Sequence, residues 1–581
     1  MFTEEQNDIL ESDARVTLVV ASPGSGKTRV FAEAFVRKAQ EWKSKTSGIA
    51  AISFTNVAER TIRERLGISI PYPHFIGTID SFILRFILKP FSQYAGFSNA
   101  MPRIIPPSIA DSLRMPDMAL DNNTRIRKSI FQIHSSAGIE TLPEYVTKLQ
   151  FGEKRLSTDD SRLAHQKKKS IWGNSGLVTH SDSHFLASSI LNHNFRSEAF
   201  VKLIVKRFPV IFVDEYQDTG HFLRRGLERL FQDENLRVLA VGDPDQCIFG
   251  FSGASTAIFS TTGSLSGAQT FPMIVTQRCP KAVSKLATAL SSFGKEIESK
   301  DEATEGITTI LTYQGSIEEN KSKLFSYLQS NWEEQGQSVL VVRSNSLLDE
   351  LLDKNNTEYP CKASAGRKLH HAVGKFLGGD PGSARVMTSD LLGKFLFTDE
   401  GIHFVSEHLL FENGIDLRNW KRTVYHTLVE ACRIIENETW NEWLQRMKNY
   451  IATILSEYNS GTPVRMQTFN RDNSNGNTVR ELNLSDSSIP QDHIEIKTVH
   501  GVKGDEFDNI CLLIPPVNAD RCPSIQWWEN NGNNEERRIA FVAATRAKRE
   551  FVLCISEQCL ERFRQIHPQF VSLFTRIVSL E

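Results

Sequence analysis

A chain of 581 residues is several times the length of a typical domain, so more than one hydrophobic core is expected. Its 67 basic and 69 acidic residues leave a formal net charge of −2, which excludes a globally basic nucleic-acid-binding surface; any path for a polyanion must be a local stripe. The eight cysteines form no paired CxxC, so neither a structural zinc nor an iron–sulfur cluster is signalled, and no apolar stretch is long enough to span a bilayer. The first motifs follow the N-terminus without a signal peptide, and the expectation is a cytoplasmic protein with no membrane partner.

In chain order, the apolar run 16–20 predicts a buried strand, and Val30, Phe31, Ala34, Phe35 and Ala39 recur at helical spacing. Between them lies Ala21-Ser22-Pro23-Gly24-Ser25-Gly26-Lys27-Thr28. Strand, glycine loop and helix in that order let backbone N–H groups turn around a triphosphate at the positive end of a helix. Lys27 is expected to reach the β- and γ-phosphates, and the Thr28 hydroxyl to ligate Mg²⁺. Ala21 stands where the pattern asks for glycine, and its methyl is small enough to be tolerated. The stretch 86–199 turns polar and helix-like, with Lys154, Arg155, Lys167, Lys168 and Lys169. These bases form either a solvated face or a surface for a DNA backbone.

A second apolar run, 210–213, ends in Asp214-Glu215-Tyr216-Gln217-Asp218-Thr219. Carboxylates at the end of a core strand sit where open α/β sheets bind ligands. Asp214 is expected to hold Mg²⁺, and Glu215 to accept a proton from, or orient, the attacking water. Acidic residues that merely start a helix are the competing reading, which explains one carboxylate but not the run. A third strand, 238–241, leads into Gly242-Asp243-Pro244-Asp245-Gln246, where Gln246 is placed to sense the γ-phosphate. Phe249 and Phe251 follow, and their rings suit either base stacking or core packing. Further on, 339–343 predicts a strand of a second core and 440–455 a helix. The Asn-rich 470–477 predicts a loop, and 551–555 the last strand, with about one helix of chain beyond it.

Taken together, these segments resemble the UvrD-like superfamily 1 DNA helicases. Gln6 matches the adenine-reading Q motif, and Ser53-Phe54-Thr55-Asn56 matches motif Ia. Gly77-Thr78-Ile79-Asp80-Ser81-Phe82 matches motif Ib, with Asp80 where the family commonly has histidine. Lys497 to Phe507 matches motif V, and Glu536-Arg537-Arg538 with Val542-Ala543-Ala544-Thr545-Arg546 matches motif VI. The resemblance implies an α/β protein of two RecA-like P-loop parallel-sheet cores with mainly helical inserted subdomains. Core 1A would comprise 1–85 and 200–275, insertion 1B 86–199, core 2A 276–372 and 494–581, and insertion 2B 373–493. It implies ATP with Mg²⁺, bound by Gln6, the loop 21–28 and Arg29, with Glu506 near the ribose and phosphates. Catalysis would fall to Lys27, Glu215, Gln246, Arg278 and Arg546, the two arginines reaching over from the second core. Single-stranded or tailed DNA would lie along Thr55, Asn56, Thr78, Phe249, Phe251, Thr498 and His500.

The family's pattern is broken at several places. Thr276 and Gln277 replace an Asn-Tyr pair whose tyrosine stacks on adenine, and Ser252 replaces an arginine. Insertion 2B is short, and no nuclease domain is expected after motif VI. Two activities are therefore carried forward. One is an ATP-driven 3′→5′ translocase and helicase. The other is a DNA-stimulated ATPase that serves as sensor for a partner nuclease of the OLD type, as in Gabija-like antiphage defence. A scaffold with a vestigial ATP site is opposed by the intact Lys27, Thr28, Asp214, Glu215, Gln246 and Arg546.

Overall fold

The structure, a computed structural model, describes residues 2–54, 62, 72–98, 100–105, 118–119, 125–126, 133–139, 142–149, 152–249, 254–300, 302–332, 336–344, 347–348, 351, 364–377, 381–396, 410, 414–433, 438–458, 494–515 and 535–580. Among these residues lie two six-stranded sheets in which every pairing is parallel. The first contains β1 (Val16–Ala21), β2 (Ile49–Ser53), β3 (Phe75–Thr78), β4 (Val210–Val213), β5 (Arg237–Gly242) and β6 (Ala268–Met273). They are ordered β6-β1-β5-β4-β2-β3. The second contains β7 (Ile307–Tyr313), β8 (Ser338–Val342), β9 (Ile494–Thr498), β10 (Phe507–Leu513), β11 (Ala547–Ser556) and β12 (Arg576–Ser579), ordered β9-β8-β10-β11-β7-β12.

A parallel sheet is covered on both faces, so its strands read as continuous apolar runs. The two-residue period then deals side chains alternately to two cores. In the first sheet Leu18, Ile52, Val213 and Ala240 join one cluster, while Val19, Ala51, Phe212 and Val241 join the other with the helix residues Val30, Phe31 and Phe35. In the second, Val341, Leu512 and Leu553 face one way, and Val342, Cys511 and Val552 the other. Register puts the chemistry at one edge. Val20 pairs with Gly242 and Val213 with Ala240, so the loop after β1 and the carboxylates after β4 and β5 leave the sheet side by side.

The segment between β3 and β4 adds strands to the mainly helical insertion that is expected there. It holds the helices Thr158–Ser175 and His180–Asn192, but also an antiparallel sheet of Ile133–Ile139, Leu142–Leu149 and Gly152–Arg155. These strands are polar and lack a two-residue apolar period, so the sequence does not announce them. Lys168 is a second correction. It is 1% exposed, its Nζ lies 2.6 Å from Asp182 Oδ1, and it sits 5.5 Å over the Tyr145 ring. It is neither solvated nor open to a phosphate. The last strand is β12 rather than 551–555; β12 is a short edge strand of alternating exposure, too brief to stand out in the sequence.

The helices Ser364–Leu377, Pro381–Leu396, Leu417–Cys432 and Trp440–Ser456 pack around their own cluster, with Trp440 and Trp443 stacked at 5.0 Å. The expected loop 470–477 lies outside the described residues.

The Lys168–Asp182 pair joins two helices of the insertion, and Asp182 also closes a capping box with Thr179. Asp182→Asn should leave a buried ammonium without its counter-ion, a loss of about 3–5 kcal/mol. Hydrogen exchange should show lost amide protection in the helices Thr158–Ser175 and His180–Asn192, with β7–β12 unaffected. Protection unchanged in those helices would show that the pair is not needed to hold them together.

A candidate nucleotide cleft between two sheets

The loop after β1 is tied at its base by Ser22 N–H donating to Met273 O at 2.7 Å, and within itself by Ser25 Oγ donating to Ser22 O at 2.8 Å. Gly24 has φ 72° and Gly26 φ 87°. A Cβ on Gly24 would lie 2.5 Å from Arg278 Cβ, so glycine is required there for space as well as for conformation. Gly26 opens the helix Lys27–Gln40 without a side-chain cap, which leaves its first-turn N–H groups to an anion. Ser22 Oγ is buried with no hydrogen-bond partner among the described residues, and burial pulls the Lys27 ammonium below the ordinary lysine range while Glu215 and Asp243 oppose that shift. Donors, glycines and a buried cation converge as a triphosphate requires. Thr28 and Asp214 line the same cavity and offer the hard oxygen ligands that suit Mg²⁺.

Ala21 is fully buried at the end of β1, where its methyl fits. Gln6 donates from Nε2 to Ser25 O at 2.8 Å and accepts from Thr3 N at 3.2 Å, so its amide braces the phosphate loop. Arg29 stacks 4.5 Å over the Phe2 ring. Pro23 and Ser25 complete the loop, whose tip sits against Gln277, Gln277 N donating to Gly24 O at 2.9 Å.

After β4, Asp214 and Glu215 are driven apart in acidity. Burial and the Glu215 charge push the Asp214 carboxyl up to about 7, while Lys27 and Lys503 hold Glu215 below its ordinary value against the push of burial. Glu215 has φ 51°, in the left-handed region, the only non-glycine to do so among the described residues. Its carboxylate accepts from Gln217 Nε2 at 2.5 Å, and Gln217 Oε1 accepts from Asp243 N at 3.0 Å. Asp243 Oδ2 in turn accepts from Gln246 Nε2 at 2.7 Å. A hydrogen-bonded chain thus runs from Glu215 through Gln217 and Asp243 to Gln246.

The second sheet closes the cleft. Arg546, 2% exposed at the end of the helix Glu535–Ala544, feels Lys27, Glu215 and Asp243 electrostatically. Burial and Arg278 lower its guanidinium to about 9, still protonated at neutral pH. Arg278 donates from Nε and Nη2 to Glu506 Oε1 at 2.8 and 2.5 Å. It sits where the chain crosses from β6 into the helix Lys281–Leu290 of the second core.

Sequence reasoning missed two further bridges. Lys503 donates to both Asp218 oxygens at 2.7 Å and to Gln246 O at 2.9 Å. Lys295 pairs with Asp243, and with Asp245 at 3.3 Å. Lys503 lies inside the matched motif V, whereas nothing in the sequence marks Lys295.

A cavity of about 850 Å³ joins these groups, lined by Lys27, Thr28, Asp214, Glu215, Arg278 and Arg546 among others. Its wall continues to Phe249 and His500, whose rings lie 5.7 Å apart; His500 Nε2 is 3.0 Å from Ile248 O. Thr78 and Thr498 cap local turns, accepting from Ser81 N and Gly501 N. Thr55, Asn56 and Phe251 lie outside the described residues.

The family described as UvrD/REP helicase N-terminal domain matches residues 2–264, and that described as UvrD-like helicase C-terminal domain matches residues 411–558. The chain is similar to the ATP-dependent DNA helicase Rep of Buchnera aphidicola, 22% identical over 610 residues that cover 92% of this chain and 91% of that protein. It is similar to the ATP-dependent DNA helicase srs2 of Schizosaccharomyces pombe, 24% identical over 55% of this chain and 38% of that protein. It is also similar to the Gabija protein GajB of Bacillus cereus, 27% identical over 42% of this chain and 40% of that protein. The matched part thus spans less than half the length of the latter two.

Lys503 offers a direct check on the cross-sheet bridge. Burial pushes the Asp218 carboxyl up to about 6, and Lys503 restrains that rise. Lys503→Met should therefore move the acidic limb of the pH–rate profile for ATP hydrolysis to higher pH. It should also cost turnover roughly 10–100-fold, the worth of a charged hydrogen bond. An unshifted limb with normal turnover would show that the bridge does not touch the chemistry.

Proposed function

We propose, for a chain that belongs to the UvrD-like superfamily 1 DNA helicases, that it is an ATP-driven motor moving 3′→5′ on single-stranded DNA and unwinding tailed duplex. The observation that carries this reading is Arg546, buried from the second sheet against the charges of Lys27 and Glu215 on the first. A site assembled from two sheets makes hydrolysis depend on how the sheets meet, which is what a motor needs.

In this reading ATP and Mg²⁺ supply the transferable phosphoryl group and its charge neutralisation. Gly24, Gly26 and the first turn of the helix Lys27–Gln40 hold the triphosphate, with Lys27 on its β- and γ-phosphates. Thr28 and Asp214 would hold the metal ion. Glu215 takes up the proton of the attacking water; Lys27 and Lys503 hold its pKa below the ordinary range, which keeps the carboxylate ionised. Gln246, Arg278 and Arg546 stabilise charge on the transferring group, the arginines through planar donors. Arg29 and Gln6 flank the adenine side, and Glu506 the ribose. DNA would run past Thr55, Asn56, Thr78, Phe249, Phe251, Thr498 and His500, whose polar groups contact phosphates and whose rings stack on bases. We place the protein in the cytoplasm, where DNA and ATP meet. Among the described residues no helix is long and apolar enough to cross a membrane.

The similarity to GajB favours a second reading, a DNA-stimulated ATPase that reports DNA state to a partner nuclease in antiphage defence.

Glu215→Gln should bind ATP normally and turn it over at a small fraction of the wild-type rate, because the water loses its acceptor. Nucleotide binding measured beside steady-state hydrolysis separates the two effects, and near-normal turnover would remove Glu215 from the mechanism.

Arg546→Ala should keep ATP affinity within a few-fold and lose about 10³ in turnover, as arginine fingers do. Strand displacement separates the two activities. A motor acts alone on a 3′-tailed duplex and not on a 5′-tailed one; a sensor hydrolyses ATP with DNA but displaces little until its nuclease is added. Normal hydrolysis by Arg546→Ala would refute a site shared by two cores.

A further inference from the structure

The helix Ser197–Arg207 ends just before β4, at the opposite end of that strand from Asp214 and the cleft. One face of it packs inward through Phe200, Val201, Ile204 and Val205. The other face carries large apolar groups into solvent. Phe195, in the turn that leads into the helix, is 83% exposed, and Leu203 is 56% exposed. Ala199, also exposed, lies one helical turn before Leu203 on the same side. The three make a ridge with a small residue between two large ones.

The residue before an N-cap often folds back onto the fourth residue of its helix, here Phe200. That place is already filled. Phe91 stacks on the Phe200 ring at 4.3 Å, and Tyr94 meets it at 5.1 Å. Phe195 is left outside, edge-on to Tyr94 at 6.3 Å. Arg196 braces it there: its guanidinium lies 5.3 Å from the Phe195 ring and 5.5 Å from the Tyr94 ring, and Nη1 donates to the Tyr94 hydroxyl at 2.9 Å.

The rim of the ridge is basic. Residues 196–207 hold four bases, Arg196, Lys202, Lys206 and Arg207, against one carboxylate, Glu198. Glu198 is engaged by Lys202 at 3.4 Å and by Arg229 of the helix His221–Phe231. Arg207 turns away and donates to Pro73 O at 2.8 Å. Lys202 and Lys206 are exposed, three and seven residues beyond Ala199, and so flank the ridge. In a chain of net charge −2 this surplus is local.

We propose that Phe195, Ala199 and Leu203 form a docking ridge for an acidic amphipathic helix of a partner protein. Ala199 leaves a hollow between Phe195 and Leu203 that takes one large apolar side chain, as ridges of one helix fill the grooves of another. Carboxylates beside that side chain meet Arg196, Lys202 and Lys206. A nucleic acid would satisfy the bases and stack on Phe195, but it offers nothing to the aliphatic Leu203. Among the described residues none of this ridge lines the nucleotide cavity, so a partner seated here leaves the cleft open. The proposal stands apart from the motor reading.

The probe is a stapled, fluorescein-labelled helix of about 14 residues, with leucines along one face and glutamates elsewhere. Anisotropy on the full chain should give a dissociation constant on the order of 10 µM, weakening as salt is added. The same peptide with lysine for every glutamate should bind at least about tenfold more weakly. Phe195→Ser with Leu203→Ser should lose about tenfold or more in affinity for the acidic peptide. Lys202→Glu with Lys206→Glu should lose a similar amount and gain affinity for the lysine peptide, a reversal that only a folded, charge-matched surface gives. ATP hydrolysis should be unchanged in both double variants. Failure of the acidic peptide to bind, equal binding of the two peptides, or undiminished binding by either double variant would overturn the proposal. So would a loss of oligo(dT) affinity in Phe195→Ser with Leu203→Ser while peptide binding persists, which would assign the ridge to nucleic acid. Self-association of the wild type in sedimentation, abolished in that variant, would assign it instead to a second copy of the chain. A wild-type chain that hydrolyses no ATP would remove the motor reading and leave the peptide result to decide this one.

Discussion

The cleft is governed by the cost of burying negative charge. Asp214, Asp243 and Asp245 are 2%, 0% and 0% exposed at the carboxyl edge of the first sheet, with Glu215 and Asp218 beside them. An unpaired buried carboxylate is expensive, and breaking a buried pair costs about 3–5 kcal/mol. The first sheet contributes Lys27. The remaining cations come from residues that pack with the second: Lys295 on Asp243 and Asp245, and Lys503 on Asp218, with Arg546 close by. The groups proposed for the chemistry and the groups that join the two cores are therefore largely the same. A bound triphosphate adds negative charge among these cations, so binding and hydrolysis must each redistribute the pairs across the interface.

Within that constraint the hydrogen bonds set direction. Glu215 is held in a left-handed backbone conformation that ordinarily costs a non-glycine residue of order 1–3 kcal/mol. The turn that imposes it also aims Gln217, which bonds Glu215 with its nitrogen and the Asp243 backbone with its oxygen. Gly242 permits this closeness, since a Cβ there would lie 2.5 Å from Gln217 Oε1. The positions of Glu215 and Gln246 are consequently linked through shared partners, and a shift after β5 is felt after β4.

Much of this was legible in the sequence, and the reasons are physical. Parallel strands buried on both faces announce themselves as apolar runs, so β1, β4, β5 and β8 stood out. The glycine loop and the acidic run declared themselves because few other arrangements need those residues in that order. What was hidden depended on tertiary pairing. Lys168 reads as one of a row of solvated lysines until the fold brings Asp182 to it. Lys295 has no local signal, since its partners are some fifty residues away, at Asp243 and Asp245. The strand Leu142–Leu149 carries no polar–apolar alternation, its buried residues Tyr145 and Val146 being neighbours, so nothing in the sequence marks it as a strand. Gln6 was matched to an adenine contact; its bonds to Ser25 and Thr3 became visible only in three dimensions.

The same economy of residues connects the nucleotide side of the cleft to its far wall. Lys503 binds Asp218 and the Gln246 carbonyl, and its ammonium also lies 4.7 Å over the Phe249 ring. His500 reaches the Ile248 carbonyl and lies beside the same ring. The stretch from Gln246 to Phe249 is thus gripped from the second core at three successive points, Arg538 Nε holding Cys247 O at 2.6 Å between the other two. Any change in how the second core engages that stretch must reach Gln246 at one end and Phe249 at the other. In the proposed motor these are the phosphate sensor and a base-stacking ring. Coupling between hydrolysis and DNA then needs no long pathway: a segment of four residues, with its backbone carbonyls held by one lysine, one arginine and one histidine, is short and stiff enough to carry it.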